Sequence, residues 1–290
     1  MAVEFEDRHW TSDDGLRLHY RDYAGPADKA PVICIPGLTR NARDFEDLAV
    51  RLATKRRVLS LDLRGRGDSA YAKDPATYTP LIYVADLRAL LDQAGIARFI
   101  AIGTSLGGLV AMLFAARHPD RLTGAVFNDV GPEVSSVGIA RIAGYVGQGR
   151  SFETWMHAAR ALEESQGSMF PDFAVSDWLT LAKRAMTLGS NGRIVFDYDM
   201  KISEPLATPS PTATGAAPPD LWPLWRALGG RPVLVLRGAM SDILAPETAA
   251  RMVAEVSGAE LVTLPRLGHA PTLDEPEAVA AIERLLGRAE

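Results

Sequence analysis

Cysteine is nearly absent from this sequence, since Cys34 is the only one in 290 residues. A lone cysteine cannot form an internal disulfide, and within the apolar run 32–35 it is expected to be a small buried residue of a strand. No cluster of cysteine and histidine has the spacing of a zinc site. We therefore expect no metal and no cofactor.

Long apolar runs and strongly basic runs are also missing. No apolar stretch reaches the ~18 residues that a membrane span requires, and the net charge is −5. Neither a membrane nor a nucleic acid is therefore expected as a partner. Residues 1–7 are acidic and lack the apolar region of a signal peptide, so we expect a cytoplasmic location. The sequence does not indicate an oligomeric state.

Strand-like and helix-like segments alternate through most of the chain. Two strands near residues 4–10 and 16–23 are joined by a turn sequence, and buried strands and amphipathic helices follow in turn up to residue 130. The same alternation resumes after residue 227. This order predicts a mostly parallel sheet with helices on both faces, and the opening hairpin adds an antiparallel edge.

The alternation stops between residues 131 and 227. This stretch has helical patterns without clear strand alternation, and residues 204–223 form a Pro/Thr/Ala tract that we expect to lack regular structure. We predict a core of residues 1–130 and 228–290, with residues 131–227 inserted as a helical cap. Such an insertion would cover the carboxyl ends of the strands, where open α/β sheets bind ligands.

A glycine-flanked serine is the most informative local motif. Gly103–Gly107 reads Gly-Thr-Ser-Leu-Gly, between a short apolar strand and a helical pattern. A serine on such a strand–turn–helix bend is exposed at the head of the sheet. Side chains in place of Gly103 or Gly107 would collide with neighbouring backbone, so we expect both glycines to be steric requirements.

A serine hydroxyl needs a base and an acid to become a nucleophile. His269 is the best candidate base, because it follows the last strand and precedes the last helix. Two acids follow strands in the right chain order: Asp242 and Asp129. We favour Asp242, because its loop is expected to neighbour the histidine loop, while Asp129 stays open as the alternative.

Charge that develops on a substrate oxygen requires N–H donors held in place. The backbone N–H of Leu106 follows the serine directly, and the N–H of Leu38 lies in the loop after the first buried parallel strand. We expect these two donors to form an oxyanion hole. The predicted substrate pocket consists of Thr39, Trp155, Met156 and Met240.

Together these motifs resemble the α/β-hydrolase superfamily across almost the whole chain. The matching motifs are Ile35–Leu38, Asp62–Gly67, Gly103–Gly108, Ser241–Asp242 and Gly268–His269. The resemblance implies an eight-stranded sheet with a cap, and looks most like capped bacterial carboxylic-ester hydrolases. It also implies Ser105 as nucleophile, His269 as base and Asp242 as acid. One departure is Pro36, where many relatives carry histidine.

The expected activity is hydrolysis of a carboxylic ester or lactone through an acyl-enzyme, with a small-molecule substrate whose acyl part is apolar. A C–C bond hydrolase of vinylogous diketones would use the same three residues, although the missing histidine at Pro36 weakens that alternative. A ligand receptor on a hydrolase scaffold is a third alternative, which an intact triad disfavours. The natural substrate does not follow from the sequence.

Overall fold

The computed structural model describes residues 4–207 and 219–289. The strands in these residues are β1 (Phe5–Thr11), β2 (Arg17–Tyr23), β3 (Val32–Ile35), β4 (Val58–Asp62), β5 (Phe99–Thr104), β6 (Leu122–Asn128), β7 (Ser151–Phe152), β8 (Met186–Leu188), β9 (Ile194–Phe196), β10 (Val233–Gly238) and β11 (Glu260–Leu264).

The helices are α1 (Glu46–Ala53), α2 (Pro80–Gln93), α3 (Leu106–Arg117), α4 (Ser136–Ala143), α5 (Trp155–Gln166), α6 (Val175–Ala185), α7 (Glu204–Ala207), α8 (Trp222–Arg226), α9 (Pro246–Glu255) and α10 (Pro276–Arg288). Short 3-10 helices occupy Ala42–Phe45, Pro75–Thr77, Gly167–Met169 and Met200–Ser203. Within the described ranges, none of the helices combines the length and the apolar character that crossing a membrane would require.

Eight strands form the central sheet, in the order β1-β2-β4-β3-β5-β6-β10-β11. Strand β2 runs antiparallel to both β1 and β4, whereas the pairs from β4 to β11 are parallel. The predicted mostly parallel sheet of eight strands is confirmed. Its inner strands read as continuous apolar runs because both faces of the sheet are covered.

Two apolar clusters cover the two faces of this sheet. Helices α2, α3, α8 and α9 contribute to one cluster, and α1 and α10 contribute to the other. The helices on both faces are therefore as predicted. Because parallel strands all end at one edge, the loops after β3, β5, β6, β10 and β11 meet there.

The segment between β6 and β10, which we call the inserted segment, has its own small core. Trp178, Phe170 and Ala182 are buried among neighbours from the same segment. Besides helices, the segment contains a three-stranded antiparallel sheet in the order β7-β9-β8, which the sequence did not predict. Strands of two or three residues show too little alternation to be recognised. The cap boundaries at 131 and 227 stay a prediction.

The tract 204–223 was predicted to lack regular structure. That prediction was wrong at both ends, because α7 occupies Glu204–Ala207 and α8 begins at Trp222. Proline at the second position of α8 is compatible with a helix start, where its missing N–H has no intrahelical partner. Residues 208–218 of the tract lie outside the described residues.

Candidate active site

Ser105 occupies a strained turn between β5 and α3. Its backbone has φ 51° and ψ −115°, a combination that non-glycine residues rarely adopt. A Cβ at Gly103 would lie 2.5 Å from the backbone of Gly107, and a Cβ at Gly107 would lie 2.0 Å from the carbonyl oxygen of Ile35. Only glycine fits at these two positions, as the sequence predicted, and the tight turn presents the hydroxyl at the head of the sheet.

His269 lies within hydrogen-bonding distance of this serine. Its Nε2 is 2.9 Å from Ser105 Oγ, although the two residues are 164 positions apart in the chain. His269 belongs to the loop between β11 and α10, and its side chain is almost fully buried. The structure thus brings together the two residues that the sequence proposed as nucleophile and base.

Asp129 contacts the other nitrogen of the imidazole. The distance from His269 Nδ1 to Asp129 Oδ2 is 2.8 Å. The same carboxylate accepts hydrogen bonds from the backbone N–H of Gly238 at 3.0 Å and from the hydroxyl of Ser241 at 2.6 Å. Asp129 has no exposed surface and a positive φ of 58°. Three donors therefore fix the orientation of one buried carboxylate.

The sequence-based preference for Asp242 as the partner of His269 was wrong. Asp242 instead accepts hydrogen bonds from Nε and Nη2 of Arg141, at 2.5 and 2.9 Å. This guanidinium holds the pKa of Asp242 below its usual value. Arg141 belongs to α4 in the inserted segment and lies 101 positions from Asp242 in the chain. No local pattern in the sequence could indicate this contact.

A carboxylate oxygen can only accept a hydrogen bond, so its contact fixes the tautomer of His269. The Nδ1 of the imidazole must carry the proton that it donates to Asp129. In the neutral ring, Nε2 is then an acceptor for the hydroxyl of Ser105. The three side chains form one directional chain from hydroxyl to imidazole to carboxylate.

The two predicted oxyanion donors lie close to the serine. Leu38 and Ser105 line the same cavity, and Leu106 is the first residue of α3. Among the described residues, no acceptor is bound to the N–H of Leu38 or of Leu106. The carbonyl of Leu38 accepts a 2.8 Å bond from Nε of buried Arg66, which holds this loop in position.

A cavity of about 220 Å³ opens at Ser105 and His269. Of the four residues predicted for the pocket, Thr39 lines this cavity. Trp155, Met156 and Met240 were predicted wrongly: they lie outside its lining, because Trp155 packs on the core of the inserted segment and both methionines are exposed. A larger cavity of about 440 Å³ lies between α1, α6 and residues 272–274, and neither Ser105 nor His269 lines it.

The apolar lining of the cavity comes largely from the inserted segment. The apolar residues of that segment in the lining are Ile142, Phe152, Ala161, Leu162, Phe170, Phe173, Leu181, Ala185, Met186 and Phe196. The lining also includes four arginines that were not predicted from the sequence: Arg40, Arg141, Arg150 and Arg184. They are dispersed over 145 positions without a motif, so no local signal in the sequence could have found them.

One further group of possible metal ligands lies away from this site. His19, Asp62 and Asp68 bring their ligand atoms within 4.8 Å of one another in the described part of the chain. Asp62 is already engaged there, because it contacts Nδ1 of His19 at 2.7 Å and accepts the backbone N–H groups of Ala42 and Asp68. These bonds hold the turn after β4 in place.

The chain belongs to the alpha/beta hydrolase family, whose model matches residues 32–282. It is 33% identical over 267 residues to the 3-hydroxybutyrate-oligomer hydrolase of Cupriavidus necator, covering 91% of this chain and 90% of that protein. It is also 29% identical over 257 residues to the pimeloyl-[acyl-carrier protein] methyl ester esterase of Neisseria meningitidis, covering 87% of this chain and 91% of that protein.

A solved structure gives the same result for the fold. The crystal structure of an alpha/beta hydrolase from Novosphingobium aromaticivorans superimposes with a TM-score of 0.94 and 65% sequence identity, and the match covers 100% of both chains. The expected superfamily is confirmed. The relatives named above include ester hydrolases, which is the coarse activity that the sequence motifs indicated.

Proposed function

We propose that this protein is a serine hydrolase that cleaves carboxylic esters, cyclic esters included, through an acyl-enzyme. The observation that carries the proposal is the chain of two hydrogen bonds from Ser105 to His269 and from His269 to Asp129, at 2.9 and 2.8 Å. Nucleophile, base and acid in such an order are the arrangement that activates a serine hydroxyl. The ester hydrolases among the relatives support the same reaction class.

In the first half of the reaction, Ser105 Oγ attacks the ester carbonyl carbon while its proton passes to Nε2 of His269. The carbonyl oxygen becomes an oxyanion and accepts the N–H groups of Leu38 and Leu106, which have no other acceptor among the described residues. The imidazolium then gives its proton to the leaving alkoxide, which departs as an alcohol. The acyl group stays on Ser105.

In the second half, a water molecule takes the place of the alcohol. His269 accepts a proton from the water as its oxygen attacks the acyl carbonyl, and it returns that proton to Ser105 Oγ when the carboxylic acid leaves. Asp129 holds the Nδ1–H of the imidazole throughout, which keeps Nε2 aimed at the reacting atoms. Each turnover consumes one ester and one water and leaves the enzyme unchanged.

The inserted segment is proposed to act as a cap that shapes the substrate site. Residues of α4, α5 and α6 line the cavity together with the loops of the core, so a bound ester would lie between these helices and the core. At about 220 Å³ the cavity is smaller than the ~300–1,000 Å³ typical of sites for drug-sized ligands, which favours a short ester. Short 3-hydroxybutyrate oligomers, the substrate in the name of one relative, are candidates.

The test compares the wild type with the variants Ser105→Ala and Ser176→Ala. The substrates are p-nitrophenyl esters with acyl chains from acetyl to octanoyl, and 3-hydroxybutyrate dimers and trimers. We expect Ser105→Ala to lower kcat by at least about 10⁴-fold, because the three residues act as a unit. Ser176→Ala, an exposed serine of α6 outside the cavity, should keep kcat within about twofold of the wild type.

The acyl series tests the shape of the site at the same time. We expect kcat/KM to rise with chain length as far as the apolar lining extends and then to fall. If Ser105→Ala retained more than about a tenth of the wild-type kcat, the proposed mechanism would be wrong.

A further inference from the structure

Four arginines line the cavity at Ser105 in a protein that is acidic as a whole. The chain carries a net charge of −5, yet among the described residues that line the cavity Asp44 is the only carboxylate. Three of the four guanidinium groups are neutralised by carboxylates. Arg40 binds Asp44 through two nitrogens, Arg141 binds Asp242 in the same way, and Arg184 is paired with Asp47 and Asp274.

Arg150 is the exception among these arginines. No carboxylate of the described residues lies at ion-pair distance from its guanidinium. The guanidinium lies beside the ring of Phe152, with 5.4 Å from its carbon to the ring centroid. A guanidinium beside an aromatic ring keeps its N–H groups free to bind an anion in a fork.

Other polar side chains line the same cavity as Arg150. Gln148 and Gln166 have amide N–H groups that can donate to an anion, whereas the hydroxyl of Ser165 already donates to the helix carbonyl of Ala161 at 2.9 Å. These residues belong to the inserted segment, whereas Ser105 and His269 belong to the core. The apolar side chains described above make up much of the rest of the lining. The cavity thus combines the two reacting residues, an apolar lining and one arginine without a carboxylate partner among the described residues.

We propose that Arg150 binds a free carboxylate at the far end of the substrate, so that the enzyme acts on short aliphatic esters that are anionic at one end. This inference rests on the proposed ester hydrolysis at Ser105. Two kinds of ester share the required chemistry. The carboxylate can belong to the acyl part, as in a monoester of a dicarboxylic acid, or to the alcohol part, as in an ester of a hydroxy acid.

The experiment compares anionic esters with neutral counterparts of the same length. Monomethyl adipate and dimethyl adipate test the acyl side, and 3-acetoxybutyrate and its methyl ester, followed by acetate release, test the alcohol side. We expect the wild type to have a lower KM for the anionic member of one pair. The pair that shows the preference identifies the side that carries the carboxylate, and added NaCl should weaken the preference.

Arg150→Gln removes the charge and keeps a hydrogen-bonding side chain. We expect it to raise KM for the preferred anionic ester about tenfold, the effect of about one charge-assisted hydrogen bond, with kcat changed less than twofold. KM for the neutral counterpart should not change. Arg150→Lys should give an intermediate KM, because lysine keeps the charge without the planar fork. Arg160→Gln, which removes an exposed arginine of α5 outside the cavity, is the matched control.

Two results would overturn this assignment. One is a wild type without preference between the anionic and neutral member in either pair. The other is an Arg150→Gln variant whose KM changes by the same factor for both members, or for neither. The proposed hydrolysis is tested separately in the same assay, since turnover of the neutral esters must disappear in Ser105→Ala whether or not Arg150 binds a carboxylate.

Discussion

Two carboxylates at the rim of the sheet have different partners. Asp129 is fully buried and is held by Gly238, Ser241 and His269, whereas Asp242 is paired with the guanidinium of Arg141. Both follow strands that are neighbours in the sheet, since β6 pairs with β10. The order of residues along the chain therefore could not separate the two candidates. The backbone turn at Asp129 and the arginine from the insertion decide between them.

The two aspartates should differ strongly when each is replaced by asparagine. Asp129→Asn removes the negative charge that holds the Nδ1–H of His269, and we expect kcat to fall by about 10⁴-fold, as when the acid of a comparable triad is neutralised. Asp242→Asn should lower kcat by less than about tenfold, because Asp242 makes no hydrogen bond to His269 among the described contacts.

Steady-state kinetics on one p-nitrophenyl ester is the measurement for both variants. The two substitutions are equally conservative in size, and urea unfolding of each protein shows whether it is folded under the assay conditions. A larger loss of kcat in Asp242→Asn than in Asp129→Asn would contradict the assignment of the acid.

At the scale of secondary-structure elements, α4 is the helix that ties the inserted segment to the loop after β10. Gly138 and Arg141 are three residues apart and lie on the same face of this helix. A Cβ at Gly138 would lie 2.4 Å from the carbonyl oxygen of Asp242, so the absence of a side chain at Gly138 lets the helix contact that loop. Arg141 then reaches the carboxylate of the same residue. The ion pair therefore attaches the proposed cap to the core.

This attachment should depend on pH in a defined direction. Because Arg141 lowers the pKa of Asp242, the folded protein binds this proton less readily than the unfolded chain. The ion pair thus adds stability above the ordinary carboxyl pKa of about 3.9, and this contribution is lost as the pH falls through the lower value of the folded state.

Urea unfolding of the wild type and of Asp242→Asn between pH 7 and pH 3 measures this effect. We expect the wild type to be the more stable protein, by a difference that stays constant from pH 7 to pH 5 and shrinks below about pH 4. A difference that grew on acidification would show that the contact between Arg141 and Asp242 does not stabilise the folded protein.

The elements of the core could be predicted from the sequence, and those of the insertion only in part. Buried strands such as β3 and β5 are continuous apolar runs between turn residues, and helices such as α10 have a clear apolar face. The strands β7, β8 and β9 are two or three residues long and are held by pairing with one another, which leaves little trace in the local sequence.

At the scale of the whole molecule, the parallel sheet brings distant residues to one edge. Ser105 follows β5, Asp129 follows β6 and His269 follows β11. His269 therefore forms hydrogen bonds with two residues that lie 164 and 140 positions away in the chain. The order of strands and helices was enough to predict that Ser105 and His269 would meet. The lining of the cavity was not predictable in this way, because its arginines and aromatic residues come together only through packing of the insertion on the core.

Ser105 is the group proposed to attack the substrate. Treatment with a p-nitrophenyl alkylphosphonate ester, a mimic of the carboxylic ester whose adduct resembles the tetrahedral intermediate, is the decisive test of this role. Intact-protein mass, the mapped peptide and the released nitrophenol are measured together with residual esterase activity. We expect one equivalent of nitrophenol, one phosphonyl group on Ser105, activity that falls in proportion to labelling, and no label in Ser105→Ala. Full esterase activity in protein that carries the label, or a label on a different residue, would contradict the account.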